Sequence, residues 1–99
     1  MTVTKQKEGS TLTVGVEGRL DTLTAPDLEA EIKTDIDDVT DIIFDFEKLE
    51  YISSAGLRVL MFAMKTTKAK NGSMVVRNVS DYIKGIFKVS GIGDILKIE

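Results

Sequence analysis

Residues 50–65 read EYISSAGLRVLMFAMK. Two hydroxyls, an alanine and a glycine separate a short apolar segment from a run in which Leu57, Leu60, Met61 and Met64 recur at helical spacing. A strand or turn hands over to a helix here, with Ser53 and Ser54 at the junction. A helix starts with backbone N–H groups that lack partners within it, and a serine oxygen commonly satisfies one of them. On the plainest reading the serines are helix caps. The same place also tolerates a phosphate, because free N–H groups and a partial positive charge gather there. A phosphate adds nearly two negative charges at neutral pH, enough to repel a partner surface shaped for a neutral hydroxyl. A nucleophilic serine is a poorer fit. The chain has no histidine to act as base, and the local pattern is not Gly-x-Ser-x-Gly.

Upstream of this stretch, residues 2–7 and 11–18 read as a hairpin around the glycine-containing turn EGS. Leu12, Val14 and Val16 alternate with Thr11, Thr13 and Glu17, the period of a half-buried strand. Gly18 ends the second strand and GRLDTLTAP reads as a loop. Thr24 is expected to cap a first helix, with Pro26 in its first turn, Asp27 near the positive end of its dipole, and Leu28, Ile32 and Ile36 as its buried stripe. DIIFDF, residues 41–46, is rich in β-branched and aromatic residues and reads as a buried strand, followed by EKLEYI as a turn.

Downstream, the helix that carries Leu57 ends near AKNGS, where Asn71 or Gly72 suits a left-handed C-cap. SMVVRNV reads as a strand. Ser80 caps a third helix with Ile83, Ile86 and Phe87 on it, SGIGD stops that helix, and ILKIE is a last strand with little chain left to cover its edge. The expected order is β-β-α-β-α-β-α-β. This is a single α/β domain over residues 1–99, with a mixed sheet because helical crossovers make parallel pairs, and with helices mainly on one face.

Composition narrows the function. The 99 residues carry 42% apolar side chains and a net charge of −3 with both signs interspersed, which suits a packed core and argues against nucleic acid. The absence of cysteine and histidine removes thiol nucleophiles, disulfides, the usual zinc sites and histidine-based acid–base catalysis. No apolar run approaches the roughly 20 residues of a membrane span, and no signal-like core opens the chain, so a soluble cytoplasmic protein without direct membrane insertion is expected.

Three segments carry a family likeness: VEGRLDTLTAPDL, FDFEKLEYISSAGLRVL and GSMVVRNVSDYIKGIFKVSGIGDILKI. Together they resemble the STAS domains, in particular the bacterial anti-sigma factor antagonists, over nearly the whole chain. The family signature usually reads Asp-Ser-Ser/Thr-Gly-Leu, with the first hydroxyl after the Asp phosphorylated. Alignment on Gly56-Leu57 puts Ser53 in the Asp position, Ser54 on the acceptor and Ala55 on the second hydroxyl. The resemblance thus implies phosphorylation at Ser54, with Ser53 the lesser alternative. It also implies partner contacts from Asp21, Ser53, Gly56, Leu57 and Arg58. Read by themselves, Asp21 is equally suited to a turn or cap, Arg58 to a solvated surface and Gly56 to close packing.

The family further implies a partner-switching mechanism. An anti-sigma factor that is also a serine kinase of the histidine-kinase-like ATPase type holds a sigma factor. The unphosphorylated antagonist displaces the sigma factor, phosphorylation ends the interaction, and a PP2C-type phosphatase reverses it. ATP and magnesium belong to the kinase, so this chain needs no cofactor and is not itself an enzyme. Two other readings stay open: a non-switching STAS subunit of a transporter or stress-sensing assembly, and a small enzyme, for which no catalytic constellation is visible.

Overall fold

The computed structural model describes all 99 residues. Strand β1 (Thr2–Glu8) and β2 (Thr11–Leu20) form the expected antiparallel hairpin, turned at Gly9 with φ of 60°. Strand β3 (Asp41–Asp45) runs parallel to the first half of β2, pairing Thr11 with Asp41 through Gly15 with Asp45. Strand β5 (Met74–Arg77) pairs parallel with β3, and β6 (Lys97–Ile98) with β5. The sheet order is β1-β2-β3-β5-β6, mixed as expected, with β1 the only antiparallel member.

The fourth strand is where the expected order needs correction. EKLEYI is not all turn: β4 (Leu49–Ile52) pairs parallel with residues 18–20 of β2. Nor does Gly18 end β2. The strand leaves β3 after Gly15 and joins β4 at Gly18, which pairs with Leu49; Gly18, with φ of 94°, is followed by a register shift within the β2–β4 pairing, and the strand continues to Leu20. A glycine in a strand signals a bulge as well as a terminus. The partner that makes residues 18–20 a strand lies thirty residues away, outside any local pattern.

Three helices cover one face: α1 (Ala25–Asp35) with a 3-10 turn at Ile36–Asp38, α2 (Ser54–Ala69), and α3 (Asp81–Ser90) with a 3-10 turn at Ile92–Asp94. Strand alternation decides what they bury. Leu12, Val14, Val16, Ile42 and Phe44 are buried, while Thr13, Gly15, Ile43 and Asp45 on the opposite face are partly exposed. Leu28 and Ile32 from α1, Leu60 from α2, and Ile83 and Phe87 from α3 close the core over them, each fully buried. Burying such a side chain contributes roughly 1.5–3 kcal/mol, so these positions dominate the stability. At the rim, Lys5 of β1 reaches Asp35 and Glu31 of α1 at 2.8 and 2.9 Å; these carboxylates, Asp35 foremost, hold its ammonium above the ordinary lysine range.

Helix α2 is rotated from the face its leucines and methionines suggest. Its buried residues are Gly56, Val59, Leu60, Ala63 and Thr67; Leu57, Met61 and Met64 flank them, half-buried. The helix is apolar nearly all round, so periodicity alone does not choose its inner face. Small residues do, because Gly56 and Ala63 let the helix axis approach the sheet.

Candidate functional site

The C-terminal ends of β2 and β4 lie side by side, and the loops that leave them are joined by a hydrogen bond from the Ser53 N–H to the Leu20 carbonyl (2.9 Å). Gly56 seats the start of α2 against them: a Cβ there would come within 2.8 Å of Leu20 and Ile52 side-chain carbons. The glycine is buried, so its place in the molecule is that of close packing against the strand ends.

This seating separates the two serines. Ser53 is the N-cap of α2, with φ of −98° and ψ of 175°, and its hydroxyl oxygen accepts from the Gly56 N–H at 3.4 Å. Ser54 is the first helical residue. It is exposed, and no hydrogen bond within the protein engages its hydroxyl. The capping and free roles, indistinguishable in the sequence, fall to different residues.

Ser54 also stands at the rim of an open groove of about 640 Å³ between the start of α2 and the outer face of α3. Leu57, Tyr82, Ile86 and Val89 make its apolar wall, with Asp81 beside them. Tyr82 is 57% exposed and Val89 91%. Of these residues only Ser54 and Leu57 stand out in the sequence as site candidates. The signal for the rest was present: Tyr82, Ile86 and Val89 repeat at helical spacing on a face other than that of buried Ile83 and Phe87, so α3 is apolar on two sides.

Asp21 lies in the neighbouring loop, at the end of β2. Its Oδ1 accepts from the Leu23 N–H (3.0 Å), the Thr24 N–H (3.1 Å) and the Thr24 hydroxyl (3.2 Å). These contacts, the Thr24 N–H first, hold its carboxyl below the usual carboxylate range against the opposing effect of partial burial; the Arg19 guanidinium adds a smaller push in the same direction. Arg19 in turn lies 4.2 Å over the Tyr51 ring. Thr24 is the N-cap residue of α1, as expected, but its side chain makes no capping hydrogen bond. Its hydroxyl shares its one proton between the Arg19 carbonyl (2.9 Å) and Asp21 Oδ1, accepts from the Asp21 N–H (2.8 Å) and takes no N–H of α1, because the carboxylate three residues earlier already orders this turn. Arg58 points outward from the first turns of α2, exposed, beside a shallow hollow lined also by Thr22, Pro26 and Glu29. No cluster of acidic side chains here is arranged to hold a metal ion.

A model of the STAS domain family matches residues 2–99. The chain is a STAS domain. Among relatives, the anti-sigma-B factor antagonist of Staphylococcus aureus (strain COL) is 31% identical over 87 residues, 86% of this chain and 80% of that protein. The Bacillus cell fate determinant SpoIIAA, solved in its phosphorylated form, superposes with a TM-score of 0.79 at 26% identity, covering 99% of this chain and 91% of that one. An anti-sigma factor antagonist from Mycobacterium paratuberculosis has a TM-score of 0.86 over 98% of this STAS domain and 83% of that chain; at 21% identity that likeness speaks for the fold. No helix of this STAS domain is long and apolar enough to cross a membrane.

Proposed function

We propose that the protein is a cytoplasmic anti-sigma factor antagonist switched by phosphorylation of Ser54. The carrying observation is the division between the serines: Ser53 is engaged in capping α2, while Ser54 is free, exposed and at the rim of the apolar groove. The names of the relatives support the reading. In it, the unphosphorylated protein docks on an anti-sigma factor that is also a serine kinase of the histidine-kinase-like ATPase type, and the sigma factor is released. The Ser54 hydroxyl then attacks the γ-phosphorus of the ATP bound to the kinase. An O–P bond forms at Ser54, the bond to the ADP leaving group breaks, and the hydroxyl proton passes to a base of the kinase.

The phosphate ends docking because it places charge against apolar wall residues and beside Asp81. A PP2C-type phosphatase restores the hydroxyl. In this reading Asp21, Ser53, Leu57 and Arg58 are the partner-contact residues, and buried Gly56 serves the surface indirectly, by seating the start of α2 against the strand ends. The chain's part is that of substrate and binding surface.

The test is capture of partners from native lysate by wild type and by Ser54→Asp, with intact-mass analysis of the endogenous protein. Capture of a kinase-like ATPase by wild type alone, with about 80 Da of added mass mapped to Ser54, is the expected outcome. Equal capture of one stable complex by both baits, with no added mass, would falsify the switch and favour a constitutive subunit of a larger assembly.

A further inference from the structure

The chain contains three arginines, Arg19, Arg58 and Arg77. Arg19 faces Asp21 and stacks on Tyr51, and Arg77 pairs with Glu99 at 3.2 Å. Arg58 takes part in none of the protein's ion pairs. It lies on α2 four residues after Ser54, and both are exposed. Residues so spaced are neighbours on a helix surface, with Cβ atoms about 5–6 Å apart. In the unmodified protein Arg58 borders the hollow on the α1 side and Ser54 the groove on the α3 side; because helical side chains lean toward the N-terminus, the turn that opens with Ser54 is within reach of the long Arg58 side chain.

We infer that Arg58 pairs in cis with a phosphate on Ser54, an inference that rests on the acceptor role proposed for Ser54. The guanidinium fork matches phosphate oxygens in a bidentate geometry that a lone ammonium lacks. The unmodified protein presents this free cation to a partner. The modified protein turns it back onto its own phosphate. One phosphoryl group therefore changes the docking surface twice, by adding negative charge and by withdrawing the one arginine that nothing else holds. The facing charges set the strength of the pair. Asp81 on α3 lines the groove beside Ser54 and opposes the phosphate. Glu29 on α1 shares the hollow with Arg58 and competes for it. Asp21, in the adjacent loop, is occupied by the Leu23 and Thr24 N–H groups.

The experiment installs phosphoserine at position 54 of the full chain by direct genetic incorporation, with no kinase involved, and follows its second ionisation by phosphorus NMR. Wild type, Arg58→Gln and Arg58→Lys are compared at low salt. The phosphate, whose second pKa is ordinarily near 6, is expected to titrate about 0.2–0.4 unit lower in wild type than in Arg58→Gln, with Arg58→Lys in between. Asp81→Asn is expected to lower it further. The same value in wild type and Arg58→Gln, in proteins whose amide spectra show the same fold, overturns the pairing; so does Arg58→Lys matching Arg58→Gln. Because the phosphate is installed directly, a normal Arg58 effect in a protein that no kinase binds would count against the proposed switch and leave the pairing standing.

Discussion

At its C-terminal end α2 is tied to the rest of the molecule by several side-chain hydrogen bonds; at its N-terminal end it is held by its cap, the Ser53 N–H on the Leu20 carbonyl and the seat of Gly56. The Lys70 ammonium donates to the carbonyls of Ile36 and Val39 and so ties the end of α2 to the turn after α1. Asn71 takes the left-handed conformation with φ of 60°, and the Gly72 N–H returns to the Thr67 carbonyl at 2.8 Å. Asp41 accepts from both the N–H and the hydroxyl of Ser73, at 2.7 and 3.1 Å. At the other end stand one long hydrogen bond from Gly56 to Ser53, one from the Ser53 N–H to the Leu20 carbonyl, the seat of Gly56, and a serine whose hydroxyl has no partner. Redundant contacts at one end fix where the helix lies. That frees the other end to carry a group whose chemistry can change without unfolding the domain.

The largest effect should come from Gly72→Ala, which forces a Cβ to within 1.7 Å of the Thr40 carbonyl oxygen. Backbone does not yield as a side-chain tip does, and a loss on the order of 3 kcal/mol or more is expected in chemical denaturation. An unchanged midpoint would break the claim that this end is fixed by backbone contact. Lys70→Met keeps the stem and removes the ammonium, leaving two carbonyls without their donor; a loss of about 1–3 kcal/mol is expected in the same assay.

Ser53→Ala removes the cap, with an expected cost of about 1 kcal/mol. Asp21→Asn acts through charge and is smaller still. The folded carboxyl lies below its ordinary range, so its contribution is present above the ordinary carboxylate pKa and is lost as the pH falls through the folded one. A melting-temperature gap between wild type and Asp21→Asn at pH 7 should therefore close below about pH 4. A gap that persists in acid would assign the effect to hydrogen-bond geometry. Ser54→Ala comes last, within about 0.5 kcal/mol of wild type, as an exposed residue without contacts should be. If it cost as much as Ser53→Ala, the division between the two serines would be wrong.

Much of this architecture is legible in the chain because its causes are local. Alternation in β2, the buried run of β3, Ser80 as the cap of α3 (its hydroxyl oxygen accepts from the Ile83 N–H at 3.2 Å) and the glycine-rich stop after α3 each rest on a few consecutive residues. Two features depend on residues far apart. β4 is a strand because residues 18–20 lie beside it. The buried face of α2 is chosen by where Gly56 meets Leu20 and Ile52. Thr24 caps α1 by position and not by its hydroxyl, which is turned to the Asp21–Arg19 backbone.

The sequence by itself determined the order of helices and of every strand but β4, the STAS signature and the candidate pair of serines. Side-chain periodicity, turn chemistry and motif spacing are properties of the chain and need no fold to be read. Only the tertiary structure decided that Ser53 is the cap and Ser54 is free, because the start of α2 is set by the Leu20 carbonyl and the pocket beneath Gly56. Only the tertiary structure laid the outer face of α3 beside Ser54, since packing of Ile83 and Phe87 into the core leaves Tyr82, Ile86 and Val89 no other side to occupy.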